Sequence, residues 1–345
     1  MSNRKLKISI IADPELPVPP LLYGGIERII SMLIDGYVRL GHEVSLFAHV
    51  DSVTPAKLFP YKGKSSNNKL DIIKNSWLIN QELFSNSYDI VHSFGRLLYL
   101  LPQMPLSIPK VMSYQREPTI SQIKKAVKIA KKNTLSFTGC SAYISEQIAP
   151  YAPSYPIFNG VELTTYQFSE QVAPDAPLVF LGRIEPIKGT HIAIEVAKKV
   201  GKKLVIAGNV PAEYQSYFSE QIKPHLDEQI TYMGPVNDVQ KNDLLGSALA
   251  FLMPIEWNEP FGIVMAEAMA CGTPVIAFNR GSVPEVVING YNGYQCTTLQ
   301  EMINAVNLIK NIDRKQVRAD AKERFSSEVI VNQYLSLYQK LISAY

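Results

Sequence analysis

Short apolar runs alternate with amphipathic stretches along most of this chain. The runs have the length and character of buried parallel strands. They lie at residues 7–12, 43–48, 90–94, 110–114 and 136–141, and again at 178–181, 203–207, 230–236, 248–254 and 275–278. Between the first two runs, apolar residues keep the i, i+3, i+4, i+7 spacing of one helix face. This alternation predicts an α/β protein with parallel sheets.

The layout of strand, helix and strand begins again at Leu178, after a polar stretch. Residues 167–177 are rich in Ser, Gln, Pro and Asp, which is typical of a linker between domains. A chain of 345 residues is long enough to bury two cores. We therefore predict two domains that share a layout.

The most informative stretch lies between the strands predicted at 248–254 and 275–278. Gly262 can release the chain from a loop into a short helix at 263–270. The free N–H groups of such a helix start form an anion site at the carboxyl edge of a sheet. Here they belong to residues Phe261, Gly262, Ile263 and Val264.

Two carboxylates, Glu259 in the loop and Glu267 inside the helix, can face one ligand at this edge. A carboxylate beside a phosphate repels it, so these side chains are better suited to the hydroxyl groups of a sugar or ribose. For two isolated glutamates, a helix cap and a solvated helix residue are the simpler explanation.

The whole string from Glu259 to Phe278, EPFGIVMAEAMACGTPVIAF, resembles the E-x7-E signature of retaining glycosyltransferases of family 4. The resemblance implies the GT-B fold, in which two Rossmann-like doubly wound domains face each other across a cleft and a C-terminal helix crosses back to the first domain. It implies an acceptor-binding domain at residues 1–166 plus about 327–345, and a donor-binding domain at 167–326. It assigns the donor sugar's hydroxyls to Glu259 and the ribose hydroxyls to Glu267.

Two cations follow the strand at 178–181. Arg183 ends the strand segment and Lys188 precedes the next helix, so both side chains can converge on an anion. Two surface cations are the alternative. The stretch is similar to the family's G-R-x-x-x-x-K-G segment, which implies that Arg183 and Lys188 bind the donor diphosphate and stabilise it as it leaves.

Glycine turns supply the other donor contacts that the resemblance implies. A Gly-Gly pair in the long first loop lets the backbone approach a ligand, although a flexible turn has the same composition. In the second domain, the turn near 233–236 is similar to the segment that holds the base through its backbone. These candidate donor-binding residues are Gly24, Gly25, Gly208, Asn209, Met233 and Gly234.

The first domain offers weaker candidates. Residues 89–92 resemble the family's D-V-V-H-x-H segment, with Phe94 in the place of the second histidine. His92 is thus a candidate catalytic residue, and a core histidine at a strand end is the alternative. Tyr114 and Arg116 follow the next strand and are candidate acceptor contacts.

Composition favours an ordinary soluble globular protein, with 46% hydrophobic and 19% charged residues. No run of about 18 apolar residues and no signal-peptide pattern is visible, so we expect a cytoplasmic protein. The three cysteines lack metal-ligand spacing. Because Asp-x-Asp is also absent, we predict a metal-independent reaction that requires no cofactor, with no metal site and no nucleic-acid partner.

Positive charge is concentrated in the first half. Residues 1–165 carry 18 Lys and Arg against 12 Asp and Glu, while the remainder carries 16 against 19. The densest cluster has helical spacing and comprises Lys124, Lys125, Lys128, Lys131 and Lys132. Such a helix can lie on an anionic membrane or face an anionic acceptor, and a solvated helix face is the alternative.

The resemblance implies a retaining transferase that moves a hexose from a nucleotide sugar, UDP-hexose above all, to a hydroxyl of a small-molecule, glycan or glycolipid acceptor. It implies a same-face reaction, with Glu259 as a covalent nucleophile being the rival mechanism. Two other functions remain open. One is a non-catalytic nucleotide-sugar binding protein, and the other is a GT-B enzyme with different sugar-nucleotide chemistry.

Overall fold

The chain forms two compact units in a computed structural model that describes residues 4–21 and 24–344. The first unit comprises Met1–Gly160 together with Ser327–Tyr345, and the second comprises Val161–Ser326. The division after Gly160 lies slightly before the predicted division after residue 166. Among the described helices, none combines the length and the apolar character needed to cross a membrane.

The first unit is built on a parallel sheet covered by helices. Its strands are β1 (Lys7–Ile11), β2 (Glu43–Ala48), β3 (Lys57–Pro60), β4 (Ile90–Ser93), β5 (Lys110–Tyr114), β6 (Leu135–Gly139) and β7 (Ser154–Pro156). Its helices are α1 (Gly25–Arg39), α2 (Lys69–Ser85), α3 (Ile120–Ile129), α4 (Ala142–Ile148) and the C-terminal helix (Ser327–Ser343), with a 3₁₀ helix at Leu97–Gln103. The spatial order of the strands is β3-β2-β1-β4-β5-β6-β7.

The second unit repeats this architecture. Its strands are β8 (Leu178–Leu181), β9 (Leu204–Ala207), β10 (Ile230–Tyr232), β11 (Ala250–Met253), β12 (Val275–Phe278) and β13 (Gly293–Cys296). Its helices are α5 (Thr190–Val200), α6 (Gln215–Tyr217), α7 (Asp238–Ser247), α8 (Ile263–Ala270), α9 (Val283–Val286), α10 (Leu299–Leu308) and α11 (Arg314–Phe325). The strand order is β10-β9-β8-β11-β12-β13.

Each sheet therefore has one point at which the chain reverses its direction of winding. In the first unit this point lies between β1 and β4, and in the second between β8 and β11. The described strand pairs in both sheets are parallel. The prediction of two Rossmann-like doubly wound α/β domains is confirmed. Such folds bind ligands at the carboxyl ends of the strands that flank the reversal.

The C-terminal helix packs against α1 within the first unit. A Cβ atom added to Gly36 of α1 would lie 2.4 Å from Val331 Cγ2, so the two helices approach as closely as a glycine permits. Next to Gly36, the hydroxyl of Tyr37 lies 3.1 Å from that of Tyr338. The last helix is thus part of the first unit's core.

His92 lies in the same core, at the end of β4. Its side chain is fully buried, with Nδ1 2.5 Å from the Tyr338 hydroxyl and Nε2 2.6 Å from Ser113 Oγ. Burial lowers its pKa from 6.5 to about 3, so the imidazole is neutral and one ring nitrogen donates while the other accepts. This geometry is that of a core histidine at a strand end, which was the alternative to a catalytic role for His92.

We expect the His92 contacts to make the first unit sensitive to acid. The folded pKa of about 3 lies below the ordinary value of 6.5, so the unfolded chain takes up a proton that the folded chain does not as the pH falls through this window. Stability should therefore fall by about 2 kcal/mol from pH 6.5 to pH 5 on this account alone. Denaturant unfolding of the wild type and of His92→Gln measures this difference.

The variant His92→Gln should start less stable but lose less on acidification. Equal slopes in the wild type and His92→Gln would contradict a neutral, buried His92.

Candidate functional site

The loops after β8 and β11 meet at the chain reversal of the second sheet. A Cβ atom added to Gly189 would lie 1.9 Å from the carbonyl oxygen of Pro254, and the φ of Gly189 is 74°, which favours glycine. The amide of Glu256 donates to the carbonyl of Ile187 at 2.8 Å. These contacts hold together the loops that carry the predicted cations and the first predicted glutamate.

Lys188 and Glu259 form an ion pair between these loops. Lys188 Nζ lies 2.8 Å from Glu259 Oε2, and both side chains are largely buried. The indole Nε1 of Trp257 donates to the same carboxylate oxygen at 3.0 Å. Lys188 Nζ also lies 4.9 Å from the centre of the Trp257 ring, within cation–π range. The structure thus brings together two of the predicted residues, each positioned by the other.

Arg183 is held by a carboxylate in the same loop. Its Nη2 lies 2.8 Å from Glu185 Oε1, and the Glu185 side chain is almost fully buried while Arg183 remains partly exposed. The guanidinium therefore has a fixed base and an accessible face. Such a preorganised cation suits an anionic ligand.

The start of α8 leaves its amides open, as the sequence predicted. Gly262 precedes the helix with a φ of 70°, and in the described part of the chain no side chain caps this helix start. The Phe261 ring is buried and packs edge-on against Phe325, with ring centres 5.8 Å apart. Phe261 can therefore contribute only its backbone, whereas Ile263 and Val264 are partly exposed.

Glu267 is buried inside α8 and is held by two side chains. Its Oε1 accepts from the Tyr166 hydroxyl at 2.6 Å and from Lys241 Nζ at 2.6 Å. Lys241 also lies 5.2 Å from the centre of the Tyr166 ring. The second predicted glutamate thus has a lysine partner of its own.

The glycine turns after β9 and β10 lie beside the Arg183 loop. A Cβ atom added to Gly208 would lie 1.7 Å from the carbonyl oxygen of Gly182, so the two loops touch. The amide of Gly208 donates to the carbonyl of Gly234, and the amide of Ile184 donates to that of Asn209, both at 2.9 Å. Four predicted donor-binding residues therefore gather at one sheet edge: Gly208, Asn209, Gly234 and the half-exposed Met233.

The Gly-Gly pair lies in the first unit, at the start of α1. A Cβ atom added to Gly24 would come within 2.8 Å of Glu27 Oε2, whereas one added to Gly25 would meet no atom within 4 Å. The neighbours of Gly24 therefore leave no room for a side chain at this position. Among the described residues, none would contact a Cβ atom on Gly25, and its amide belongs to the first turn of α1, where amides lack a partner within the helix.

A cavity of about 520 Å³ lies at the carboxyl ends of β4 and β5 in the first unit. Tyr114 and Arg116, the predicted acceptor contacts, both line it. His92 does not. Burial raises the pKa of Tyr114 to about 12, so its hydroxyl stays protonated. The walls combine apolar side chains with charged ones: Phe94, Leu97, Leu98, Met112, Arg96, Glu117 and Lys125.

Asp13 adds a carboxylate at this edge that sequence reasoning missed. A Cβ atom added to Gly95, which lines the cavity, would lie 2.9 Å from Asp13 Oδ1. That oxygen is buried and has no hydrogen-bond partner within residues 4–21 and 24–344. Burial, then repulsion by Glu15, raise the Asp13 pKa to about 6, against the attraction of Arg116 and Arg96.

Sequence reasoning also missed the partners of the predicted residues. Trp257 adjoins the motif and was readable as an aromatic beside a carboxylate. Glu185 lies between the two predicted cations. Tyr166 and Lys241 reach Glu267 from distant parts of the chain, and nothing in their local sequence marks them. In the described ranges, no three His, Cys, Asp or Glu side chains are placed to hold a metal ion.

Comparison with known proteins gives this site a chemical context. Residues 166–324 match the family model described as Glycosyl transferases group 1. A curated protein of Bacillus subtilis (strain 168), named "Putative glycosyltransferase YtcC", is 25% identical over 333 residues, which cover 84% of this chain and 78% of that protein. The family match includes the loops after β8 and β11.

Two solved structures share the fold over nearly the whole chain. AviGT4, a glycosyltransferase involved in avilamycin A biosynthesis, is 24% identical with a TM-score of 0.74, and 99% of each chain is covered. Anabaena Alr3699/HepE, in complex with UDP and glucose, is 20% identical with a TM-score of 0.74, and 97% of this chain and 99% of that chain are covered. These similarities show that the two domains have the GT-B arrangement of strands and helices. The protein is therefore an enzyme of the glycosyltransferase class, with a Glycosyl transferases group 1 match across its second domain.

Proposed function

We propose that this enzyme is a retaining glycosyltransferase of family 4, which moves a hexose from a nucleotide sugar to an acceptor hydroxyl. The observation that carries the proposal is the contact between the loops after β8 and β11. It places Lys188, Glu259 and the open amides of α8 on adjoining loops of one sheet edge. This edge is where doubly wound folds bind their ligands.

The cations suit a leaving nucleoside diphosphate. Cleavage of a glycosyl phosphate bond adds negative charge to the diphosphate, and Lys188, Arg183 and the amides at Ile263 and Val264 can stabilise that charge. In the ligand-free protein, Glu259 neutralises Lys188. We infer that donor binding loosens this pair, so that Lys188 turns to phosphate and Glu259 to sugar hydroxyls. Because protein cations neutralise the diphosphate, the proposed reaction needs no metal and no cofactor.

The nucleotide is proposed to be UDP. The support is that a protein of the same fold was solved with UDP and glucose. The base would rest on the turn at Met233 and Gly234, and the ribose hydroxyls on Glu267. Since Lys241 and Tyr166 both bind Oε1 of Glu267, we expect ribose to be received by the other oxygen or by displacing Lys241.

The acceptor is proposed to occupy the cavity of the first unit. Apolar walls and the cations Arg116 and Lys125 fit an acceptor hydroxyl on a molecule with an apolar part and an anionic group, such as a glycolipid or a small phosphorylated compound. Glu117 is already bound by the Tyr143 hydroxyl.

The basic cluster at Lys124–Lys132 is better explained by this cavity than by a membrane. Two apolar residues of α3, Ile123 and Ala126, are buried against the first unit, and Lys125 lines the cavity. A cytoplasmic location remains a prediction of the sequence.

The stereochemistry is proposed to be retention by a same-face reaction, in which the leaving phosphate takes the acceptor proton. Glu259 as a covalent nucleophile has less support, because its Oε2 is bound by both Lys188 and Trp257. Epimerase or phosphorylase chemistry would be recognised by a product other than a new glycoside.

Nucleotide binding tests the proposal directly. A ligand at a hundred times its dissociation constant adds about 2.7 kcal/mol of stability, enough to raise the melting temperature by about 5 °C. We expect UDP and its sugar conjugates to give this shift with EDTA present, and GDP and ADP to give less. Glu267→Gln itself lowers stability because it removes the carboxylate that pairs with Lys241, so the readout is the increment that UDP adds. Absence of any nucleotide shift in the wild type would refute the proposal.

The ion pair between Lys188 and Glu259 predicts that turnover and UDP binding change in opposite directions when Glu259 is substituted. Lys188→Ala should lower the turnover number by about a hundredfold, since it removes one preorganised charge from the leaving group. Glu259→Gln should also lower turnover, yet strengthen UDP binding by about tenfold, because it frees Lys188 and removes a repelling carboxylate. Titration calorimetry and steady-state kinetics measure both effects, with Lys199→Ala on the exposed face of α5 as the control. Weaker UDP binding by Glu259→Gln would contradict the proposed exchange of partners.

The acceptor cavity makes a separate prediction. Arg116→Gln should raise the Michaelis constant of an anionic acceptor by about tenfold, the effect expected of one lost charge-assisted hydrogen bond. The Michaelis constant of the donor should not change. Lys128→Gln on α3, which does not line the cavity, is the matched control. A change in the Michaelis constant of the donor alone would contradict the assignment of Arg116 to the acceptor site.

A further inference from the structure

Helix α2 has an apolar face that the fold does not cover. Ile79 and Leu83 point into the core of the first unit, together with Asn75 and Asn80. Four large apolar side chains of the same helix remain mostly exposed: Leu70 at 67%, Ile73 at 64%, Trp77 at 62% and Phe84 at 60%. Single exposed apolar residues are common, but four on one helix indicate an interaction surface.

The four side chains form one line along the helix. With 3.6 residues per turn, they fall within an arc of about 60° around the α2 axis. They extend over 15 of the 17 residues of α2, which is about 22 Å along the axis. We call Leu70, Ile73, Trp77 and Phe84 the α2 stripe.

Lysines border the α2 stripe on both sides. Lys69 and Lys74 lie about 40° outside the two edges of the arc, and both are exposed. Lys62 and Lys64 precede the helix, and the amide of Lys64 donates to the Asp71 carboxylate at 3.1 Å, which places this loop beside the first turns. Residues 62–74 thus carry four lysines and one acid, Asp71.

This arrangement is that of a helix lying in the plane of a membrane surface. An apolar line with Trp and Phe enters the boundary between headgroups and acyl chains, while the flanking lysines pair with anionic headgroups. A second copy of this chain is a poorer occupant, because an isologous contact would bring the lysine borders of two stripes close together. The lysines therefore favour an anionic membrane over a second copy of the chain as the partner of the α2 stripe.

We propose that the α2 stripe docks this enzyme on an anionic lipid bilayer, with Trp77 at the interface. The inference does not depend on the sugar-transfer proposal, since it rests only on the exposed face of α2 and its lysines. It assigns membrane contact to α2, in place of the basic α3 cluster that the sequence had suggested.

Trp77 is a built-in reporter of the proposed contact. The chain has two tryptophans, and Trp257→Phe leaves Trp77 as the sole tryptophan, which is excited selectively at wavelengths that tyrosine does not absorb. We expect its fluorescence to shift to shorter wavelength with vesicles of phosphatidylcholine and phosphatidylglycerol. Vesicles of phosphatidylcholine alone should give little shift, because their headgroups carry no net negative charge to pair with the lysines.

Vesicle flotation with variants of the otherwise unchanged chain locates the contact. Trp77→Ser with Ile73→Ser should weaken binding to anionic vesicles by at least about tenfold, and each of Lys69→Gln and Lys74→Gln by about fivefold. Lys124→Gln with Lys128→Gln on α3 should keep full binding. Leu308→Ser, at an exposed apolar residue of the second unit, should do the same.

Three results would overturn the proposal. The first is no binding to anionic vesicles. The second is binding that the α2 variants leave unchanged. The third is a dimer by light scattering that Trp77→Ser dissolves, since the α2 stripe would then belong to a second copy. Far-ultraviolet circular dichroism and the thermal unfolding curve verify that each variant is folded.

Discussion

The close contact between the loops after β8 and β11 is the constraint on which the donor site depends. Gly189 touches the Pro254 carbonyl so tightly that no side chain fits between them. Only with the loops at this distance can Lys188 reach Glu259. The pair holds a cation and an anion at the sheet edge, and each charge neutralises the other in the absence of a ligand. A ligand that carries both a phosphate and a hydroxyl can replace both partners. A molecule with only one of these groups would leave one charge without a partner.

The same principle recurs at Glu267 and Arg183. Lys241 and Tyr166 hold one oxygen of Glu267, and Glu185 holds one edge of the Arg183 guanidinium. Buried or half-buried charges need such partners, because an isolated charge in the protein interior is costly. The site is therefore a set of preformed ion pairs whose geometry is established before any substrate binds.

Much of this was readable from the sequence. Helix α8 begins and ends at the predicted residues, Ile263 and Ala270, because glycines bound it on both sides. Ten of the described strands lie where the apolar runs predicted them, within a few residues, whereas β3, β7 and β13 match no predicted run. Helix α2 was missed because apolar residues on two faces of a helix remove the single-face period that sequence reasoning uses. Short strands such as β3 and β7 have too few residues to show any period.

Burial and long-range pairing were not readable. The sequence placed His92 at a strand end, but its contact with Tyr338 depends on a helix residue 246 positions away in the chain, and its contact with Ser113 on the neighbouring strand β5. Tyr166 and Lys241 approach Glu267 only once the second sheet has formed. Such contacts follow from topology, and no local spacing encodes them. This is also why the cavity beside Arg116, which gathers segments after two different strands, emerged only from the structure.

The most direct test of the central claim is nuclear magnetic resonance of the transfer product. The enzyme would be given UDP-glucose and an acceptor in the presence of EDTA, and the coupling constant of the new anomeric proton would be measured. The account predicts a new α-glycoside, with the donor's configuration kept and no metal needed. A β-glycoside, or a reaction that requires a divalent cation, would contradict it.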